Sequence, residues 1–245
     1  MNTRILAHRG ASFYAPENTL PSFELALEQG ADGLELDVHF SKDGELVIMH
    51  DERVDRTTNG KGFVKDFTLS ELKELDASNG MEGFAGAKVP TLNEVFDLVK
   101  DTDKIVNVEI KTDIIDYPGI CEKVKALEAE KGMTGRIIYS SFNHYTVREM
   151  KRLDPTAKVG LLYMSILSEP WRYAEDLGAE CLHPHFITIS RTPHMAEECN
   201  ARGIETNIWT VDDSAWMERL ANMGVTSLIT DRPDLARTVL FGMGK

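Results

Sequence analysis

Short apolar runs recur eight times along the chain, and each is followed by a stretch with helical spacing of its apolar residues. Alternation of this kind is how βα units of a parallel sheet appear in sequence, because a parallel strand must be reached by a crossover. The runs fall at 5–7, 33–40, 105–110, 136–140, 159–163, 181–183, 204–209 and 227–229. The helical stretches fall at 19–29, 92–100, 120–131, 145–153, 170–177, 195–202, 214–223 and 235–240. Phe23, Leu25, Ala26 and Leu27, like Val95, Phe96, Leu98 and Val99, carry the pattern of a helix seated on a sheet. Eight such units predict an α/β fold closed as a (β/α)8 TIM barrel, with an open sheet as the alternative. At 245 residues the chain has the size of one barrel, about 250 residues, so it reads as a single domain over 1–245.

Two features interrupt the alternation. Lys42-Asp43-Gly44-Glu45 separates the second strand from a further apolar run, Leu46-Val47-Ile48-Met49, and Asp-Gly between two such runs signals a hairpin. A two-residue loop at Asp43-Gly44 would set Lys42 opposite Glu45 and Asp37 opposite His50. Residues 52–90 then run rich in Gly, Thr, Asp and Asn, with one short helical stretch near 69–75, where a loop of a few residues is usual. This segment is expected to form a small insert over one mouth of the barrel.

A formal charge of -13 repels polyanions, and no run of Lys or Arg offers a footprint for nucleic acid or an anionic membrane. An anionic small molecule remains acceptable where a bound cation and basic side chains supply local positive charge. Cys121, Cys181 and Cys199 show no metal or disulfide spacing and read as buried thiols. The N-terminus runs straight into a strand, and no apolar run reaches about eighteen residues. A cytoplasmic protein without membrane anchoring is expected, and the sequence is compatible with a homo-oligomer.

In α/β barrels, reactive side chains stand at the C-terminal ends of the strands. Those ends carry His8-Arg9-Gly10, Glu35 and Asp37, His50-Asp51, Glu109 and Lys111, Trp209-Thr210, and Thr230-Asp231-Arg232-Pro233. Alternate residues share a strand face, so Glu35 pairs with Asp37 and Glu109 with Lys111. Glu35, Asp37 and Glu109 together would repel one another unless protons or a cation neutralised them, and their hard oxygens favour Mg²⁺ or Ca²⁺ over zinc. The plain alternative is a set of solvated strand-end charges or ion pairs with Arg9 and Lys111. His8 and His50 beside such a cluster suit general acid and base, since imidazole titrates near neutrality. Arg9 offers a planar fork of donors to phosphate oxygens, and Lys111 a point charge.

In their order, His8-Arg9-Gly10, Pro16-Glu17-Asn18-Thr19, Glu35-Leu36-Asp37-Val38, His50-Asp51 with Arg56-Thr57-Thr58-Asn59-Gly60, Glu109-Ile110-Lys111 and Trp209-Thr210 resemble the motifs of the glycerophosphodiester phosphodiesterases. The resemblance runs from near Ile5 to near Pro233. It implies a metal-dependent phosphodiesterase that splits small glycerophosphodiesters into glycerol 3-phosphate and an alcohol. By it His8 and His50 are the acid–base pair, Glu35, Asp37 and Glu109 hold Mg²⁺ or Ca²⁺, and Arg9 contacts the phosphate. It further implies that Lys111 and Trp209 line the substrate pocket and that the insert is a family feature.

Two rivals stand beside this reading. One is a lysophospholipase D-type phosphodiesterase, for which Phe13, Tyr14, Phe142 and Met164 are the apolar hints; the other is a non-catalytic module binding glycerol phosphates. Of the remaining histidines, His183 is expected at the pocket wall and His39 facing away from Glu35 and Asp37. His144 and His194 are expected to be solvated at helix starts, and Asn18 and Thr19 to cap the first helix, with Asn18 also bracing the active-site loop.

Overall fold

The computed structural model describes residues 3–192 and 194–242. Eight parallel strands form its centre: β1 (Arg4–His8), β2 (Gly33–Phe40), β4 (Ile105–Ile110), β5 (Ile137–Ser141), β6 (Lys158–Tyr163), β7 (Cys181–Pro184), β8 (Glu205–Ile208) and β9 (Ser227–Thr230). They run in the order β1-β9-β8-β7-β6-β5-β4-β2, and β2 pairs back to β1, which closes the sheet into the barrel expected of eight βα units.

The crossovers are α1 (Leu20–Glu28), α3 (Leu92–Val99), α4 (Ile120–Glu130), α5 (His144–Leu153), α6 (Pro170–Leu177), α8 (Met195–Ala201), α9 (Ser214–Asn222) and α10 (Pro233–Phe241). Local chemistry sets their starts: Thr19 accepts from the Ser22 amide, and Thr91 forms a reciprocal capping box with Glu94. A further short helix, α7 (Phe186–Ser190), follows β7 and was not foreseen in the sequence.

The apolar core lies outside the strands, between sheet and helices. Leu34, Leu36 and Val38 of β2 and Val106, Val108 and Ile110 of β4 join it with Phe23, Phe96 and Val124 from the helices. The alternate positions of the strands point into the barrel, and many of these are polar: Glu35, Asp37, Asn107, Glu109, Ser140, His183 and Asn207 are all buried there, beside Leu6, Ile138, Leu162 and Ile229. At the N-terminal end, Arg4 and Lys158 both reach Glu205, at 2.6 and 2.7 Å. These three first residues of β1, β6 and β8 plug that mouth of the barrel.

β2 changes partner along its length. Its first half, Gly33 to Glu35, lies beside β1, and its second half, Val38 to Phe40, pairs antiparallel with β3 (Leu46–Ile48). The expected register is corrected by one residue. Val38 faces Ile48 and His39 faces Val47, so Asp37 lies opposite Met49 rather than His50. The loop has three residues, because the Gly44 amide closes a turn on the Ser41 carbonyl at 2.9 Å and Gly44 takes the left-handed conformation at φ 77°. Beyond β3, residues 52–90 carry α2 (Leu69–Glu74), and their Val54, Val64, Leu72, Ala77 and Val89 form a small apolar cluster with Val47 and Met49. Residues 46–49 thus face two ways, with Leu46 and Ile48 in the main core and Val47 and Met49 under the insert.

Candidate active site

Three carboxylates meet inside the C-terminal mouth. Glu35, Asp37 and Glu109 are 4%, 1% and 6% exposed, and one oxygen from each lies within 4.8 Å of the others. The arrangement follows from register: Asp37 of β2 pairs with Glu109 of β4, and Glu35 sits two residues earlier on the same face.

The His8-Arg9-Gly10 reversal clamps this cluster from one side. Arg9 and Gly10 both take positive φ, and a Cβ on Gly10 would meet the Ser22 carbonyl carbon at 2.6 Å, which explains glycine there. So folded, the Arg9 amide donates to Oε2 of Glu35 at 3.1 Å, and the Arg9 carbonyl accepts from the Asn18 amide at 2.9 Å. Asn18 in turn donates its side-chain amide to Oδ2 of Asp37 at 2.9 Å, so it braces the site as expected, while Thr19 alone caps α1. The Arg9 guanidinium donates to Glu17 at 3.0 Å and stands 3.5 Å from Asp37. Lys111, 5% exposed, donates to Glu109 at 2.8 Å and balances the cluster from the side.

Burial and mutual repulsion act strongly here. Burial first, then the Asp37 charge, pushes Glu35 up to about 7 and Glu109 up to about 8. Burial opposes ionisation of Asp37 too, but Arg9, His50 and Lys111 outweigh it and hold that carboxyl well below the usual range. Asp37 Oδ1 is buried with no hydrogen-bond partner. Without a cation, the trio therefore keeps one firm negative charge and two carboxyls that retain protons near neutrality.

Each candidate imidazole is held through Nδ1 by its own carboxylate: His8 by Asp231 at 2.6 Å, and His50 by Asp51 at 2.7 Å. An ionised carboxylate only accepts, so Nδ1 carries the hydrogen and Nε2 is left for chemistry. Burial would lower the His8 imidazole, but the Asp231 hydrogen bond and the Glu35 charge more than offset it, and the net shift is upward. His50 is shifted downward: burial, with the Arg9 and Lys111 charges beside it, outweighs the Asp37 charge and the Asp51 hydrogen bond. Both rings line one cavity with Arg9, Glu35, Glu109 and Trp209. His8, Arg9, Glu35, His50, Glu109 and Trp209 thus meet at one cavity, with Lys111 bonded to Glu109 rather than lining it, and His50 arrives from beyond the end of β3 rather than across a strand pair from Asp37.

Other histidines differ from expectation. His39 lies on the same face as Asp37, since alternate residues share a face, and its Nε2 lies 3.3 Å from the His50 carbonyl oxygen. Burial pushes it down to about 4, so it stays neutral. His183 is fully buried beneath Trp209, its Nε2 accepting from the Asn207 amide at 3.0 Å, rather than standing at the pocket wall. His144 bridges Tyr173 and the Leu162 carbonyl, whereas His194 is exposed as expected.

Sequence reasoning gave no role to Asp231, Asp51 or Glu17. Asp231 directly follows the eighth barrel strand, the position where reactive residues collect, and that was its one visible signal. Glu17 accepts from both Arg9 and Arg56, and Arg56 also reaches Asp51, so an ion-pair chain ties the insert to the first loop.

The sequence model of the glycerophosphoryl diester phosphodiesterase family matches residues 8–235. A glycerophosphodiester phosphodiesterase of Caldanaerobacter subterraneus subsp. tengcongensis is 51% identical over 235 residues, covering 96% of each chain. Among solved structures, a glycerophosphodiester phosphodiesterase from Agrobacterium tumefaciens superposes with a TM-score of 0.84 at 33% identity, covering 96% of this chain and 98% of that one. A phosphodiesterase from Oleispira antarctica, solved with the product sn-glycerol-3-phosphate, gives 0.85 at 30% identity, covering 97% and 96%.

Proposed function

Because the chain belongs to the glycerophosphoryl diester phosphodiesterase family, we propose that it hydrolyses small glycerophosphodiesters to glycerol 3-phosphate and an alcohol at Glu35, Asp37 and Glu109, with His8 and His50 moving the proton. The observation that carries this is the approach of three buried carboxylate oxygens to within 4.8 Å, flanked by two imidazoles each fixed through Nδ1.

The trio suits a hard divalent cation, Mg²⁺ or Ca²⁺. All its donors are oxygens, the unpartnered Asp37 Oδ1 is free to ligate, and the raised Glu35 and Glu109 would release their protons to a metal. Bound there, the cation would offset negative charge on the phosphoryl oxygens. The chain's own residues do the rest. Arg9, with donors beyond its contact to Glu17, takes a non-bridging oxygen. One imidazole removes a proton from the attacking oxygen, and the other gives one to the alcohol oxygen as its bond to phosphorus breaks; attack by water yields glycerol 3-phosphate directly, whereas attack by the glycerol 2-hydroxyl yields a cyclic phosphate that water then opens with the two imidazoles in exchanged roles. Asp231 and Asp51 keep both Nε2 atoms turned to the cavity. Trp209, its indole held on the His183 carbonyl at 2.7 Å, forms the facing wall.

A catalytically silent binder has no use for two imidazoles so oriented. The test is turnover of glycerophosphocholine, glycerophosphoethanolamine and glycerophosphoglycerol after exhaustive chelation and after return of Mg²⁺ or Ca²⁺. Chelation is expected to abolish release of glycerol 3-phosphate and one of the ions to restore it. Full activity in the chelated protein would remove the cation from the mechanism.

A further inference from the structure

The two imidazole–carboxylate pairs are secured differently. His8 ends β1 and Asp231 directly follows β9, so both are carried by barrel strands. The Asp231 amide also donates to Asp212 at 2.8 Å, and its carbonyl accepts from the Phe13 amide at 3.2 Å. His50 and Asp51 lie beyond the end of β3, in the loop where the insert begins. Their side chains are each 32% exposed, against 15% for that of His8. A partly exposed pair on a loop can change rotamer unless a third group fixes its carboxylate.

Arg56 stands where such a group is needed. One edge of its guanidinium meets Asp51, with Nε donating to Oδ2 at 2.7 Å and Nη2 to Oδ1 at 3.1 Å. The next edge meets Glu17, with Nη1 donating to Oε2 at 2.6 Å and Nη2 to Oε1 at 2.8 Å. Both contacts use the planar fork of donors that sets arginine apart from lysine. Glu17 is a firm anchor: its side chain is 17% exposed and its Oε1 also accepts from Arg9 at 3.0 Å. The residue after it, Asn18, is bonded to both Arg9 and Asp37. Burial opposes ionisation of Asp51, but the hydrogen bonds from Arg56 and His50 bring it down to about 2, so it stays an acceptor for the Nδ1 hydrogen. Arg56 itself lies outside the lining of the catalytic cavity.

We propose that Arg56, braced on Glu17, is a positioning residue that fixes the Asp51 carboxylate and through it turns Nε2 of His50 toward the scissile phosphodiester. This rests on the reading of the site given above and adds a residue to it. The insert is then part of the machinery, because it supplies the group that aligns an imidazole carried by a loop. Without Arg56 the His50 ring keeps its chemistry and loses its aim. A reacting group slightly out of place costs rate at saturation rather than affinity.

The experiment is steady-state turnover of glycerophosphoethanolamine in the presence of Mg²⁺ or Ca²⁺. Arg56→Gln should lower kcat by about 10- to 100-fold, the usual loss when a supporting partner is removed, with little change in KM. Arg56→Lys should stay close to Arg56→Gln, since one ammonium cannot meet two carboxylates edge-on. Guanidinium added to Arg56→Ala should restore part of the rate, and ammonium at equal ionic strength should not. The double variant Arg56→Gln, Asp51→Asn should be no slower than Asp51→Asn alone, because the two residues act in series. Arg53→Gln, earlier in the same loop and paired with Asp55 at 2.9 Å, should keep the parental rate. In NMR spectra the Nδ1 proton of His50, assigned with His50→Ala, should be lost to exchange with water in Arg56→Gln while that of His8 persists.

A parental kcat in Arg56→Gln or Arg56→Lys, or losses that multiply in the double variant, would overturn this proposal and leave the site reading intact. A raised KM with unchanged kcat would overturn it too, and would assign Arg56 to the phosphate contact through Glu17 and Arg9. Arg56 is 44% exposed, so its loss should leave the fold standing; if Arg56→Gln melts early, Arg56→Lys takes its place in every comparison. No turnover by the parent protein would sink the site reading. The His50 signal then still decides the positioning role, since its persistence in Arg56→Gln overturns that role and its loss supports it.

Discussion

His8 and His50 are chemically the same residue, and their surroundings make them different. Asp231 and Glu35 lift the first against its burial, while Arg9 and Lys111 help burial depress the second. Replacing either with Ala should lower kcat by about 10³-fold, within the range of lost acid–base catalysis; activity within tenfold of the parent in both variants would remove them from the proton path. Asp231 acts through His8 as a positioning residue. Asp231→Asn should cut kcat by roughly 10²-fold or more. It should also shift the His8 titration, followed by NMR of the imidazole, to lower pH, because an interaction that raises it is gone. A variant that loses rate with an unmoved titration would mean a structural role only. Asp231 was hidden in the sequence because its partner lies 223 positions away. The carboxylate trio was legible, since strand parity places Glu35 with Asp37 and Glu109 with Lys111. The same parity puts His39 on their face, against the orientation expected for it.

At the scale of elements, the strand-and-helix alternation carried the barrel, because each apolar run had to be covered by the amphipathic stretch that followed it. The hairpin was visible as Asp43-Gly44, but its length was not. Gly44 serves as the left-handed third residue of a loop rather than the second of a two-residue turn, and that moves every β2–β3 pair by one. α7 escaped notice because Phe186–Ser190 is too short to show helical periodicity. The insert has an apolar cluster of its own, and His50 sits where it begins. Leu72, fully buried in that cluster, is its test. Leu72→Ala should cost about 2–4 kcal/mol locally, speed amide exchange across residues 52–90 ahead of the barrel strands, and raise KM more than it lowers kcat. Exchange that accelerates uniformly over the whole chain would show that insert and barrel unfold as one.

For the molecule as a whole, the cluster of carboxylates is an internal cost that a cation can relieve. Glu35 and Glu109 are raised from 4.5 to about 7 and about 8 in the folded, cation-free protein. Between about pH 4.5 and 8 the folded state therefore holds protons that the unfolded chain has released, and stability falls as pH rises through that window. Melting temperature without cation should decline from pH 5 to pH 8, and Mg²⁺ or Ca²⁺ should raise it more at pH 8 than at pH 5. A melting curve indifferent to both ions at both pH values would argue against a cation at the trio. Among the described residues, no helix is long and apolar enough to cross a membrane.

Arg4, Glu205 and Lys158 cork the far end of the barrel. A vessel with one opening has no through-traffic, so both fragments must leave by the way the diester came in. While glycerol 3-phosphate lingers in that doorway the next molecule has to wait, and accumulated product should act as a competitive brake on the enzyme.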